Sequence, residues 1–175
     1  MPDPVSIRCL DRLGEPEIRA LSDILVDCVE GGASVGFMRP MTRAKADAFW
    51  RRVAEGVDSG QRLVLVAEDG AGIVGTVQAI FDLPENQPHR GDVVKMLVHR
   101  RGRRSGVGAA LLGAIEQHAL AAGKTLLVLD AVTGGDAERM YARHGWQKVG
   151  VIPRYALMPD GAPCATTYFF KSLAD

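Results

Sequence analysis

At 175 residues, 47% of them hydrophobic, the chain is long enough to bury one substantial core and too apolar for a disordered segment. Lys+Arg and Asp+Glu number 21 each, so the formal net charge is zero, without the basic excess of a dedicated nucleic-acid binder. No apolar run reaches membrane-spanning length and no signal-peptide pattern stands at the N-terminus, so neither a membrane nor a nucleic acid is expected as a partner.

The first element is a short strand, Ser6 to Leu10. Pro16 opens a helix that places Ile18, Leu21, Leu25, Cys28 and Val29 on one face and ends at Gly31-Gly32. The loop Ala33 to Pro40 leads to Thr42, the expected N-cap of a second helix with Ala46, Phe49, Trp50, Val53 and Val57 on its stripe. The period then changes. Arg62 to Glu68 and Ile73 to Phe81 read as strands joined by the turn Asp69-Gly70-Ala71-Gly72, an antiparallel hairpin. After the polar connection Pro84 to Arg90, Asp92 to Val98 is the next strand. A helix from about Gly106 to Ala121 carries Val107, Leu111, Ala114, Ile115 and His118 on one stripe, and Gly123 closes it. Thr125 to Asp130 is a continuously apolar, buried strand. A short helix, Asp136 to His144, follows Gly134-Gly135. Trp146 to Ile152 is then a strand, Pro153 to Pro163 a long loop, and Ala165 to Leu173 the last strand.

Chemistry concentrates where the strand ending Met96-Leu97-Val98 runs through Arg103-Arg104-Ser105-Gly106-Val107-Gly108 into a helix. Such a turn aims unpaired backbone N–H groups at one point, with the positive end of the helix behind them. That is a site for a phosphate or pyrophosphate, and glycines at 106 and 108 let it approach the backbone. Arg100, Arg101, Arg103 and Arg104 read as part of this local anion site, with a solvated surface turn as the plainer alternative. No Gly-Lys-Ser/Thr follows, so it is not a P-loop, and the G-x-G-x-x-G order of dinucleotide folds is absent. The four histidines are scattered and suggest no metal. The three cysteines, Cys9, Cys28 and Cys164, are widely spaced and read as reduced, packed thiols of a cytoplasmic protein.

The spacing Arg103-x-x-Gly106-x-Gly108 after a strand resembles the acetyl-CoA pyrophosphate loop of the GNAT N-acetyltransferases, and the order of elements resembles theirs over nearly the whole chain. The resemblance implies an α/β (α+β) fold in one domain, residues 3–173. Its central sheet would be mixed, mostly antiparallel and twisted, of about seven strands, with four flanking helices. Family members often carry proline where Arg100 stands, and glycine and arginine where Arg104 and Ser105 stand. These departures leave the backbone cradle intact and the side-chain contacts open. Acetyl-CoA is the implied co-substrate, with no metal. Its pyrophosphate would lie on Arg103, Arg104, Ser105, Gly106, Val107 and Gly108, and its pantetheine along Met96, Leu97 and Val98. In the family a bulge in that strand opens the slot, and the N–H of Leu97 or Val98 would face the thioester oxygen.

The helix containing Tyr141 ends in Gly145-Trp146, resembling a family segment in which a tyrosine often protonates the departing thiolate. A phenol is protonated at neutral pH and can donate as sulfur gains charge. Asp130 ends an apolar strand, where ligands gather in open α/β sheets, and is the expected base or ammonium partner. A carboxylate capping the following turn is its plainer role, Asp92 competes for the base, and an amine that arrives neutral needs none.

Gly31 to Met38, Lys95-Met96, Leu129-Asp130 and Tyr168-Phe169-Phe170-Lys171 are similar to the tabtoxin-resistance protein subgroup, which acetylates a small amino-acid-like β-lactam toxin. The similarity implies catalytic roles for Tyr141 and Asp130. It also implies an acceptor pocket lined by Gly32, Ala33, Ser34, Phe37, Asp130 and Tyr155. The expected partner is thus a small-molecule amine, and a homodimer is compatible with the pattern. Two alternatives stand beside this: a protein-lysine or N-terminal acetyltransferase with an open groove, and a non-catalytic acetyl-CoA-binding regulatory module.

Overall fold

The computed structural model describes residues 5–174, and in it the apolar runs become seven strands and four helices. In chain order these are β1 (Ser6–Cys9), α1 (Glu15–Glu30), α2 (Arg43–Asp58), β2 (Arg62–Asp69), β3 (Gly72–Ile80) and β4 (Arg90–Val98). A single 3-10 turn (Arg100–Gly102) leads to α3 (Val107–Ala121), β5 (Leu126–Val132), α4 (Asp136–Arg143), β6 (Gln147–Leu157) and β7 (Pro163–Ser172). The expected domain limit at residue 3 lies outside the described residues. Thr42 caps α2 as expected, its Oγ1 accepting from the Lys45 N–H at 3.2 Å.

All seven strands form one sheet in the order β1-β2-β3-β4-β5-β7-β6. Every pair is antiparallel except β4–β5. Both faces of its centre are covered, which is why Val64-Leu65-Val66-Ala67 in β2 is apolar without a break. Val64 and Val66 pack with Leu21, Leu25, Trp50 and Leu97 under α1 and α2. Leu65 and Ala67 pack with Val77, Leu111, Ile115, Leu127 and Phe169 on the opposite face, against α3.

Two departures from the expected elements shape the site. The first concerns β6, which does not stop at Ile152 but continues through Pro153 to Leu157. A register shift between Ile152 and Ala156, with Arg154 at φ +55°, absorbs the proline. An edge strand tolerates this, because the missing N–H costs no ladder bond on the open side. The long loop expected over Pro153 to Pro163 therefore shrinks to the turn between β6 and β7. The second departure lies in β4. Thr76 pairs with Leu97 and Gln78 with Val94, so Val77 alone faces both Lys95 and Met96. Lys95 is the bulged residue, at φ +53°.

Beyond the bulge the sheet opens. β4 and β5 pair only over Arg90–Asp92 with Leu126–Val128, whereas β5 stays paired to β7 as far as Val132. From Val94 to Val98 one edge of β4 therefore has no neighbour, and a wedge separates it from β5.

Candidate active site

The turn after β4 keeps its donors free because no side chain among the described residues caps α3. Ala110 is the first residue to make the intrahelical bond, to the Gly106 carbonyl at 3.0 Å, so the N–H groups of Val107, Gly108 and Ala109 have no acceptor in the helix. No side chain caps this end and no acidic residue lies in its first turn, which leaves the positive end of the helix uncompensated. Gly106 is at φ +82°, and a Cβ placed there would meet no atom within 4 Å. It thus serves the backbone turn and leaves open space in front of the donors. Gly108 also serves packing. A Cβ there would stand 3.1 Å from Met140 Sδ, so its glycine lets α4 pack closely against α3.

The arginines are mostly occupied by the protein itself. Asp27, at the end of α1, accepts the Arg100 N–H at 2.9 Å and pairs with its guanidinium, while Arg101 pairs with Asp69. Burial pushes the Asp27 carboxyl up, but the hydrogen bonds from Arg100 outweigh it and hold the group below the usual carboxylate range. Arg103 donates from Nε to the Val98 carbonyl at 3.2 Å and lies 3.8 Å from Asp27. Arg104, exposed and at φ +62°, has no ion pair among the described residues. The expected anion site is therefore chiefly backbone, with Arg104 its one uncommitted guanidinium.

Backbone direction in β4 follows from one bond. The His99 N–H reaches the Val74 carbonyl of β3 at 2.9 Å, and N–H groups alternate along a strand, so Leu97 also turns toward β3. Met96 and Val98 therefore turn their N–H groups toward the wedge, while the Val98 carbonyl is taken by Arg103 Nε and Cys28 Sγ. Of the two expected oxyanion donors, Val98 faces the gap and Leu97 does not. The Leu97 side chain is buried in the core under α1.

Tyr141 and Asp130 flank this wedge from opposite faces of the sheet. Tyr141, 5% exposed, packs between Trp146 (5.9 Å between centroids) and Phe169 (6.1 Å). Its helix is fixed at both ends. Glu138 accepts the Gly134 N–H and the Thr167 hydroxyl, and Glu116 of α3 holds Trp146 Nε1 at 2.9 Å and Lys171 Nζ at 2.7 Å. The Tyr141 hydroxyl has no hydrogen-bond partner among the described residues. Burial, reinforced by the charge of Asp130, pushes its pKa well above the usual phenol value. Leu129 points into the core beside Tyr141, so Asp130 points the other way, exposed, accepting from Thr166 Oγ1 at 2.7 Å. Asp130 has no cationic partner within 4 Å among the described residues. Asp92, the competing carboxylate, is paired with Arg90.

On the Asp130 side the α1–α2 loop meets the β6–β7 hairpin. The Ser34 hydroxyl donates to the Leu157 carbonyl at 3.1 Å, and the Arg39 N–H to the Pro159 carbonyl at 3.1 Å. Gly32 turns the chain at φ +96° and Ala33 closes on α1 through the Cys28 carbonyl at 2.9 Å. Phe37 stands edge-on to Phe49 at 5.2 Å. Tyr155 and Tyr168 share a hydrogen bond of 2.7 Å. That bond, with burial and Asp130, pushes the Tyr168 pKa up to about 12. Gly32, Ala33, Ser34, Phe37, Asp130 and Tyr155 thus lie on loops and strand ends around one side of the wedge.

The profile of the GNAT acetyltransferase domain matches residues 60–148, half of the chain and the part that holds β2 to α4. The protein belongs to the GNAT acetyltransferase family. It is an acyltransferase. Among solved structures it is similar to the ribosomal-protein-alanine N-acetyltransferase of Brucella melitensis (TM-score 0.80, 20% identity, covering 95% of this chain and 99% of that one). It is likewise similar to yncA of Salmonella typhimurium, solved with its cofactor acetyl-CoA (0.79, 18%, 98% and 95%). A third is an aminoglycoside 6'-acetyltransferase type Ii (0.69, 20%, 97% and 98%).

Sequence reasoning assigned no role to several groups that this acetyltransferase brings to the wedge. Lys95 lies 5.7 Å from the centre of the Phe37 ring and 5.6 Å from that of Phe49. Tyr168 joins Tyr155, and Gln78 stands fully buried beside the bulge. One signal was available: Gln78 and Lys95 interrupt otherwise apolar strands, where a polar residue needs a reason.

Proposed function

We propose that the protein is an acetyl-CoA-dependent N-acetyltransferase whose acceptor is the primary amine of a small amino-acid-like molecule, as in the tabtoxin-resistance subgroup. A β-lactam toxin or antibiotic is the candidate acceptor. The observation that supports the small-molecule reading is the pair of hydrogen bonds by which Ser34 and Arg39 tie the α1–α2 loop to Leu157 and Pro159 of the β6–β7 hairpin. A protein-modifying enzyme would need an open groove there.

The free N–H groups of Val107, Gly108 and Ala109, together with Arg104 and Ser105, suit the pyrophosphate of acetyl-CoA, and Gly106 leaves room for it. Arg103 borders this loop. The open edge of Met96 and Val98 suits the pantetheine amides, which would add to β4 as a strand does. Acetyl-CoA supplies the acetyl group already activated as a thioester. The Val98 N–H then donates to the acetyl oxygen as it gains charge. Asp130 holds the acceptor's amine and takes the proton it gives up. Tyr141 donates its hydroxyl proton to the departing sulfur, and its burial keeps that proton in place at neutral pH.

The test is a screen for coenzyme A thiol release at saturating acetyl-CoA, with amino acids, β-lactam toxins, aminoglycosides and lysine-containing peptides as acceptors. Free amino-acid-like amines are expected to give the highest kcat/KM. Peptides or protein tails that greatly outperform every free amine would refute the small-molecule acceptor and leave the acetyltransferase intact.

A further inference from the structure

A cation and a buried amide donor share the α1–α2 face of the sheet at the β4 bulge, and among the described residues neither the Lys95 ammonium nor Gln78 Nε2 has a hydrogen-bond or ion-pair partner. β3 and β4 place Gln78 and Val94 opposite each other, and Lys95 is the bulged residue that follows. Val64 pairs with Gln78, so Gln78 shares the face of Val64, which is the α1–α2 face. Lys95 reaches the same face, over the rings of Phe37 and Phe49 and beside Gly36, whose Cβ position would be 3.4 Å from Nζ.

Gln78 is fully buried. Its Oε1 accepts from Arg62 Nη1 at 2.9 Å, which fixes the amide with Nε2 turned away from the guanidinium, and Nε2 has no partner. Leaving such a donor empty costs roughly 1–3 kcal/mol, so it calls for an acceptor. Lys95 is half-buried and has no carboxylate within 4 Å among the described residues. Aromatic rings steady a cation but do not neutralise it. Burial and the nearby charge of Arg62 both push its pKa down, and Asp130 acts weakly in the opposite sense. Each of these groups would gain from an anion brought from outside.

We infer that Lys95 Nζ, with the Gln78 amide and Arg62 behind it, forms the subsite that takes the carboxylate of the acceptor. The subsite lies at the bulge, next to Met96 and Val98, and Asp130 stands across the wedge. One molecule with an ammonium and a carboxylate would thus find an acid for the first and a base for the second. The inference rests on the small-amine reading and adds the class: α-amino acids and analogues with a free carboxylate.

The experiment compares an α-amino acid with its α-carboxamide as acceptors, reading thiol release at saturating acetyl-CoA for the parent, Lys95→Met, Lys95→Arg and Gln78→Met. The parent is expected to prefer the acid. Lys95→Met should raise KM for the acid by roughly 10- to 100-fold, the loss of one charged hydrogen bond, while leaving KM for the amide near the parent value. Lys95→Arg should retain the preference, and Gln78→Met should reduce it in part. Equal use of acid and amide by the parent overturns the subsite while the small-amine reading stands, and so does a preference that survives in Lys95→Met. The parent comparison and Lys95→Arg decide the matter even where Lys95→Met fails to fold. If peptides are acetylated and neither acid nor amide is, the small-amine reading falls and the subsite falls with it.

Discussion

Replacing Tyr141 with phenylalanine separates catalysis from packing, because the two roles predict opposite results. The substitution removes one oxygen and keeps the ring that stands 5.9 Å from Trp146 and 6.1 Å from Phe169. No hydrogen bond is broken, since the hydroxyl makes none within the described protein. The hydroxyl also keeps contact with solvent, since it is not among the fully buried polar atoms that lack a partner, so its loss relieves no large desolvation cost. Tyr141→Phe is therefore expected to be as stable as the parent to within about 0.5 kcal/mol, a Tm change of no more than about 2 °C for a chain of this size. A positioned general acid contributes about 10²- to 10⁴-fold, or about 2.7–5.4 kcal/mol of barrier. Single-turnover acetyl transfer, read by thiol release, should slow by at least about 10²-fold, and calorimetric affinity for acetyl-CoA should hardly change. A single-turnover rate within about threefold of the parent would refute the acid role and leave Tyr141 as a core aromatic.

Other substitutions probe the remaining parts. Gly106→Val places a branched side chain at φ +82° in the space before the α3 donors. Left-handed backbone costs roughly 1–2 kcal/mol, so the protein should fold with a lower Tm, and calorimetry should find acetyl-CoA bound about tenfold more weakly or worse. A folded variant with unchanged affinity would remove the backbone cradle. Asp130→Asn keeps an oxygen for Thr166 Oγ1, so the fold and acetyl-CoA affinity should persist while kcat/KM for the amine falls. Steady-state kinetics with the acceptor varied will check this. Asp27 titrates lower in the folded chain than in the unfolded one, so its contribution is full above the unfolded pKa of about 3.9 and is lost as pH falls through the lower folded value. Urea unfolding should find Asp27→Asn less stable than the parent by a constant amount at neutral pH, the gap closing below about pH 4.

The strand–turn–helix after Met96 was legible from glycine, arginine and apolar spacing alone, because helix starts and tight turns are local events. Thr42 as an N-cap and the stripes of α1, α2 and α3 were legible for the same reason. The packing role of Gly108 was not legible, since the atom its missing Cβ makes room for, Met140 Sδ, is distant in sequence. The continuation of β6 through Pro153 was missed too. Whether a proline can lie in a strand depends on that strand being at the edge of the sheet, and edges are a property of the whole sheet.

The sequence by itself determined most of the strands and helices and, through family likeness, singled out the turn at Arg103–Gly108 and the residues Tyr141 and Asp130 as candidates. Tertiary structure decided what surrounds these candidates. It inserted β7 between β5 and β6 and parted β4 from β5 after Asp92, and it set Tyr141 and Asp130 on opposite faces of the sheet. It also brought Gln78 of β3 and Lys95 of β4 to one face through a single extra residue. Periodicity records whether a side chain faces the core or solvent. It does not record which distant strand becomes its neighbour, because that choice is made by contacts among residues far apart in the chain.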